Sequence, residues 1–296
     1  MLFQSLIATG LFVSALAAPA PFQFKIVTSN VRYDANADRR FAHEKPWGDR
    51  KVGQIQTLGL ESCDGPTLIG LQEVKNNQLN DVISGLNNDT GKSWTYYGIG
   101  RDDGKTAGEY AAILYDNDEW QLINGTSKWL STTPDQPSRS WNAGNNRIVS
   151  ITEMQHKSSG IHINYLNTHF DDKSEEARQH SSELIAQWIS EIPNDYQTFL
   201  TGDFNAQSND ASYQTIVKSM DDSREIANEK LSLLDTYTGF EPSDASSIID
   251  FIWVPKGSNS QGSKVTVLNY KVDESLTPQG FRFSDHRPVV SRIQLN

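Results

Sequence analysis

The chain has a single cysteine, Cys63, among 296 residues, so no intrachain disulfide can form. Stability must then come from the size of the core rather than from cross-links. With no histidine or lysine beside it in sequence to activate it, Cys63 reads as a buried small hydrophobe and not as a nucleophile. Long apolar runs are also missing: beyond residue 20 nothing approaches the roughly 20 apolar residues that span a bilayer. Basic residues are outnumbered, 26 Lys and Arg against 37 Asp and Glu, for a formal charge of -11. That balance argues against binding nucleic acid through a broadly basic surface. It leaves room for a local basic groove, and for a bound divalent cation that reverses the field around itself. There is no cysteine cluster and no HExxH motif to hold zinc, no internal repeat and no low-complexity tract.

Residues 1–20 contain no charged side chain, residues 2–16 form an apolar stretch, and Ala15-Leu16-Ala17 supplies a small-x-small pattern. Residues 1–17 therefore read as a secretory signal peptide, although its first residues lack the usual Lys or Arg. Residues 18–296 are expected to form one soluble, exported domain, a monomer with no stable membrane insertion. Two sequons fit that route, Asn88-Asp89-Thr90 and Asn124-Gly125-Thr126, both in turn-like surroundings.

Apolar content of 36 % and aromatic content of 10 % belong to a globular chain and not to a disordered one. Runs rich in Ile, Val, Tyr, Phe and Thr predict strands over 22–31, 67–74, 94–100, 110–115, 146–155, 161–170, 197–204, 247–254, 264–272 and 288–294. Helices are predicted over 49–60, 76–86, 174–191 and 211–218. The third is the clearest, with Ser174 as N-cap, Glu175 and Glu176 in the first turn and Pro193 beyond its end. About ten strands among helices, with no linker longer than a loop, predict one α/β domain with two central sheets. The irregular stretches 34–48, 101–108 and 131–145 are candidates for substrate-binding loops.

Polar residues recur at the ends of the apolar runs: Asn30, Glu73, Asn167 and His169, Asp203 and Asn205. Asp250 lies within IIDFIW, and Asp285 and His286 open the last run. A strand-end Asp or Asn alone is an ordinary turn former. An Asp inside an apolar strand is harder to dismiss, because a buried carboxylate needs a partner. Together the placements describe a rigid scaffold delivering reactive groups to one sheet edge.

The blocks TSNVRYD (Asn30), IGLQEV (Glu73), LNTHFD (His169), TGDFNA (Asp203, Asn205), IDFIWV (Asp250) and FSDHRPV (Asp285, His286) resemble the endonuclease/exonuclease/phosphatase superfamily. That group includes deoxyribonuclease I, abasic-site endonucleases, inositol polyphosphate 5-phosphatases and neutral sphingomyelinases. The resemblance runs in the family's order over nearly the whole chain. It implies a four-layer α/β sandwich, two central mixed β-sheets flanked by helices, and a metal-dependent phosphoester hydrolase. It implies Glu73 as principal metal ligand with Asn30 and Asp285 close by. Asp203 would orient or deprotonate water, and Asn205 would hold a phosphate oxygen. His286, oriented by Asp250, would be a base or a phosphate-binding imidazolium, with His169 as acid or electrostatic stabiliser. Glu109 resembles the glutamate that pairs with this histidine in deoxyribonuclease-like members. An all-oxygen ligand set suits Mg²⁺, with Mn²⁺ or Ca²⁺ as substitutes.

Arg50, Arg147 and Arg178 are candidates for holding substrate phosphate, the alternative being salt bridges between loops. Trp141 is a candidate platform for substrate; His43, His156, His162 and His180 match no motif. The acidic charge favours a small or sugar-linked phosphoester as substrate over nucleic acid. A secreted nuclease of deoxyribonuclease I type is the main alternative. A fold that has lost activity and only binds phosphate ligands is the non-enzymatic one.

Overall fold

The computed structural model describes residues 21–241 and 243–296, so the signal peptide inferred for residues 1–17 lies outside it. The strands are β1 (Phe22–Asn30), β2 (Thr67–Lys75), β3 (Trp94–Tyr97), β4 (Glu109–Asp116), β5 (Trp120–Trp129), β6 (Ile148–His156) and β7 (His162–His169). They continue with β8 (Gln197–Asp203), β9 (Met220–Asp222), β10 (Glu229–Lys230), β11 (Asp250–Pro255), β12 (Val265–Val272) and β13 (Val289–Leu295). The helices are α1 (Trp47–Glu61), α2 (Asn76–Thr90), α3 (Glu175–Ser190), α4 (Ala211–Ile216) and α5 (Ser223–Ile226), with a 3-10 turn at Ala37–Arg39. Seven strands form one mixed sheet in the order β10-β12-β13-β1-β2-β4-β3, and six form a second in the order β5-β6-β7-β8-β11-β9. In each, a central parallel pair, β1–β2 or β7–β8, has antiparallel neighbours, and the edge pair β10–β12 of the first sheet is parallel as well.

Alternation along each strand sorts side chains into layers. Phe24, Ile26, Leu68 and Ile113 of the first sheet pack against Ile163, Tyr165, Phe199 and Ile252 of the second. The opposite face of the first sheet, with Val27, Ile69 and Leu71, is covered by Leu58 of α1 and Leu79, Val82 and Leu86 of α2. The outer face of the second, with Leu166, Leu200 and Trp253, is covered by Ile185 and Trp188 of α3 and by Tyr213 and Ile216 of α4. The result is the expected four-layer sandwich. Ser174 caps α3 as its sequence predicts, its hydroxyl accepting from the Ala177 N–H at 3.1 Å.

Three local expectations are corrected. Trp120–Trp129 is a strand, although Asn124-Gly125 sits in its middle. It is a sheet edge with a bulge between Leu122 and Asn124, where turn-forming residues are tolerated. Asn88 lies in the last turn of α2, not in a loop; both sequon asparagines are exposed. Cys63 is exposed just past α1 rather than buried.

Between the apolar inter-sheet core and the strand ends lies a buried polar seam. Asn167 on β7 donates through Nδ2 to the Leu71 and Ala112 carbonyls of the first sheet, each at 2.9 Å. Its Oδ1 accepts from Gln72 Nε2 at 2.7 Å and from the Thr201 hydroxyl at 3.0 Å. All four bonds are withdrawn from water, and Gly70 leaves the room for them: a Cβ there would lie 2.6 Å from Asn167 Oδ1. Asn167→Ala strands two carbonyls and two donors, so a loss of about 3 kcal/mol or more is expected in denaturant unfolding. A change below about 1 kcal/mol would contradict this account.

Candidate active site

The strand faces that supply the inter-sheet core run on into the site. On β1 the series Phe24, Ile26, Thr28 ends in Asn30; on β7 Ile163, Tyr165, Asn167 ends in His169; on β8 Phe199, Thr201 ends in Asp203; and β11 begins with Asp250. Glu73 breaks the rule. By alternation it belongs with Ile69 and Leu71 on the helix-covered face. A bulge between Leu71 and Val74 and a positive φ of 59° at Glu73 turn it into the cleft instead. A left-handed backbone at a glutamate is costly and is found where surrounding structure enforces it.

These groups converge on Asp203. Its Oδ2 accepts from Asn30 Nδ2 at 2.9 Å and lies 3.4 Å from His169 Nε2 and 3.7 Å from His286 Nε2. Its Oδ1 accepts from the Asn205 N–H at 2.9 Å. Asn30 Nδ2 also reaches Glu73 Oε1 at 3.1 Å, while its Oδ1 accepts from the Arg32 N–H. Asn30 thus bridges the two carboxylates through its donor atoms. His286 Nδ1 bonds Asp250 Oδ2 at 2.8 Å.

Asp285 and His286 come from a loop, which is pinned by Arg50. This guanidinium is fully buried on α1 and donates to the carbonyls of Val31, Arg32, Tyr33, Lys45 and Phe283. Arg50 therefore does not face substrate. It clamps the end of β1 to the Ser284–His286 turn, which Ser284 secures by donating to the Asn30 carbonyl at 2.7 Å. Arg178 is also outside the cleft lining and donates to the Asp171 carbonyl. Trp141 stacks on His180, 4.6 Å between ring centres and away from the cleft, so it is not a platform for substrate there.

Arg147 does line the cleft, but its Nη1 is 2.8 Å from His169 Nδ1, and Nη2 bonds Asp172 at 2.9 Å. The glutamate expected to pair with His169 is beside it but makes no hydrogen bond to it. Glu109 Oε2 lies 3.9 Å from Nδ1 and is drawn to Arg101 at 2.7 Å. Sequence reasoning missed Arg32, Arg39, Phe41, Lys75, Arg101 and Tyr237, all in the cleft wall. The signal for Arg32 was its place two residues after Asn30, and the loops 34–48 and 101–108 were already marked for substrate. The cleft they enclose measures about 700 Å³.

Burial and mutual repulsion govern the carboxyls. Burial, with Asp250 close by, raises Asp203 to about 7; burial and Glu73 raise Asp285 to about 6 and Glu109 to about 7. Glu73 is held below its ordinary value against burial by Arg32 and His286. Burial, then Arg147 and Arg101, push His169 well below the usual imidazole range. The Asp250 and Asp203 carboxylates hold His286 well above it, against burial. A cluster of oxygen donors whose carboxyls raise one another has the chemistry of a hard-cation site. Among the described residues the donor atoms of Glu73, His169 and Asp203 lie close enough together to share an ion, and Asp285 is near enough to Glu73 to feel its charge.

The signs of these shifts give a test on metal-free protein. Asp203, Glu109 and Asp285 hold protons more tightly folded than unfolded. Their contribution is full below about pH 4 and is lost as pH rises through about 6 to 7. His286 acts in the same sense at higher pH; the Glu73 contribution is present above about pH 4.5 and lost in acid, and the neutral His169 opposes the three carboxyls below about pH 6.5 without outnumbering them. The unfolding temperature in EDTA should therefore fall from about pH 5 to about pH 8, and Mg²⁺ should raise it more at pH 8. A metal-free unfolding temperature that climbs over that interval would be inconsistent with the site.

Known structures share this architecture. An endonuclease/exonuclease/phosphatase family protein from Bacteroides thetaiotaomicron is 29 % identical with a TM-score of 0.82, over 93 % of this chain and 99 % of that one. The counterpart from Bacteroides vulgatus is 31 % identical with a TM-score of 0.81, over 93 % and 100 %. The mannosyl-6-phosphatase of Bacteroides thetaiotaomicron is 29 % identical with a TM-score of 0.79, over 91 % and 99 %. No curated protein sequence matches the chain. The model of the Endonuclease/Exonuclease/phosphatase family matches residues 27–286, which takes in every strand-end group described above, and the chain belongs to that family.

Proposed function

We propose that this protein is a divalent-metal-dependent phosphatase or phosphodiesterase acting on a small or sugar-linked phosphate ester, with water activated at Asp203. The observation that carries this reading is the convergence of Asn30 Nδ2, His169 Nε2 and His286 Nε2 on Asp203 Oδ2, beside Glu73. A carboxyl near pKa 7 is matched to taking a proton from water at neutral pH. Asn30 and the Asn205 N–H each hold one of its oxygens and so aim it. His286, kept cationic by Asp250, faces the position where charge builds on a phosphoryl group. A cation held by Glu73 and Asp285 would supply Lewis-acid stabilisation of the same oxygens.

The wall around this centre favours a compact anionic ester. Arg32, Arg39, Lys75 and Arg101 line it with positive charge, Arg32 lying over the rings of Tyr33 and Phe41, and Tyr237 adds an aromatic ring suited to an organic group such as a sugar ring. The mannosyl-6-phosphatase among its structural relatives supports a sugar-linked substrate. The chain's charge of -11 weighs against duplex DNA. Export belongs to the same proposal. The apolar leader supports it, and secreted protein should begin just after Ala17 or Ala18 on N-terminal sequencing.

With Mg²⁺, hydrolysis is expected of p-nitrophenyl phosphate and hexose 6-phosphates, or of bis-p-nitrophenyl phosphate, but not of duplex DNA or RNA. Glu73→Ala and His286→Ala should each lower kcat/KM by about 10³-fold. Robust cleavage of duplex DNA would replace this reading with the nuclease one. Undiminished activity in both variants would remove the site assignment altogether.

A further inference from the structure

The two histidines beside Asp203 meet groups of opposite kind at Nδ1. His286 Nδ1 faces a carboxylate oxygen of Asp250 at 2.8 Å. A carboxylate without a proton can only accept, so that nitrogen carries hydrogen. His169 Nδ1 faces Arg147 Nη1, also at 2.8 Å. A guanidinium can only donate, so this nitrogen must offer its lone pair. The one N–H of a neutral imidazole is then on Nε2, the atom turned toward Asp203.

We infer that Arg147 is a positioning residue that fixes His169 as a neutral Nε2–H donor, giving the phosphoryl group a hydrogen bond but not a proton. Protonating His169 would place hydrogen on Nδ1 against a donor 2.8 Å away. Arg147 has little freedom to retreat. It is buried, bonded to Asp172 at 2.9 Å and 3.6 Å from Asp171, which is itself held by the N–H groups of Lys173 and Ser174. Of the acids beside the ring, Glu109 is engaged by Arg101, and Asp203, 3.4 Å away, faces Nε2 and not Nδ1, where an N–H already points toward it.

Two consequences follow from the same geometry. With hydrogen on Nε2, His169 has no lone pair for a metal, although its ring lies within ligand distance of Glu73 and Asp203. Hard oxygen donors are then left to define the metal. Asn205 Nδ2, 3.1 Å from Nε2 and 3.1 Å from the Phe170 carbonyl, also becomes a donor facing a donor. An anionic oxygen set in the cleft against both nitrogens accepts from each, which makes His169 and Asn205 a paired cradle for a phosphoryl oxygen.

The test begins with ¹⁵N spectroscopy of histidine-labelled holoprotein in Mg²⁺ at pH 7, with His169→Gln used to identify the signal. The His169 ring should show an unprotonated Nδ1 and a protonated Nε2. A protonated Nδ1, alone or together with Nε2, would overturn the proposal. Arg147→Ala should release the tautomer and lower kcat about 10- to 100-fold with KM changed less than about 3-fold. Added guanidinium should restore part of kcat; a signal that stays in the wild-type tautomer in this variant would overturn Arg147's role.

The kinetic arm rests on the phosphoesterase reading, whereas the spectroscopic one needs no substrate, so the two can fail separately. His169→Ala should cost p-nitrophenyl phosphate and a hexose 6-phosphate the same factor within about 3-fold. Removal of a true proton donor would penalise the poorer alkoxide leaving group about 100-fold more, and that result would refute the assignment.

Discussion

The site depends on how the two sheets are registered against each other, and one buried side chain does most of that fixing. Asn167 reaches across the seam to carbonyls of β2 and β4 while accepting from Gln72 and Thr201, one residue of each sheet. Hydrophobic contact alone does not specify a sliding distance between two sheets, whereas the three of these directional bonds that cross a dry layer do. One pleat further along the same strands stand Asn30, His169 and Asp203. The 2.9 Å contact of Asn30 with Asp203 crosses between the sheets and is set by the seam beneath it, whereas the 3.4 Å from His169 to Asp203 is set by β7–β8 pairing within one sheet. Apolar core, amide seam and reactive groups are successive storeys of one inward face.

The second constraint is charge. Glu73, Asp203, Asp285 and Glu109 crowd one end of the sandwich, and the shifts of the last three record their discomfort. Arginines answer it in specific pairs rather than as a diffuse basic surface: Arg32 with Glu44, Arg101 with Glu109, Arg147 with Asp171 and Asp172. Those pairs gather the arginines at this end of the sandwich and fix them around the cleft. The overall acidity of the chain and the basic lining of its cleft are compatible for that reason.

Strand-end chemistry was legible in sequence because it obeys a short rule: an apolar run ends, and a side chain that cannot stay in the core appears at its tip. Asn30, His169, Asp203 and Asp250 follow it, and the layered fold follows from the runs themselves. What escaped was anything decided by tertiary neighbours. Glu73 was found as a strand end, yet its aim depends on a bulge and a left-handed backbone that alternation forbids. Arg50, Arg147 and Arg178 were alike in sequence as candidate phosphate holders. Only the cleft separates a clamp on five carbonyls from a partner of His169 and a brace on Asp171. Trp120–Trp129 was overlooked because Asn-Gly is a turn signal everywhere except at a bulged edge.

The division between strand ends and loops also divides chemistry from selectivity. Groups that touch Asp203 sit on elements locked by the seam, or on the Ser284–His286 turn locked by Arg50, and have little room to adapt. Arg39, Phe41, Arg101 and Asp102 stand on loops, outside the strand ends, and line the outer part of the cleft. A change of leaving group can thus be met by changing those loops without disturbing the water, the carboxylate or the imidazoles. His169 marks the boundary between the two regions: its ring is carried by β7, but its proton is placed by Arg147, at the foot of the 131–145 loop.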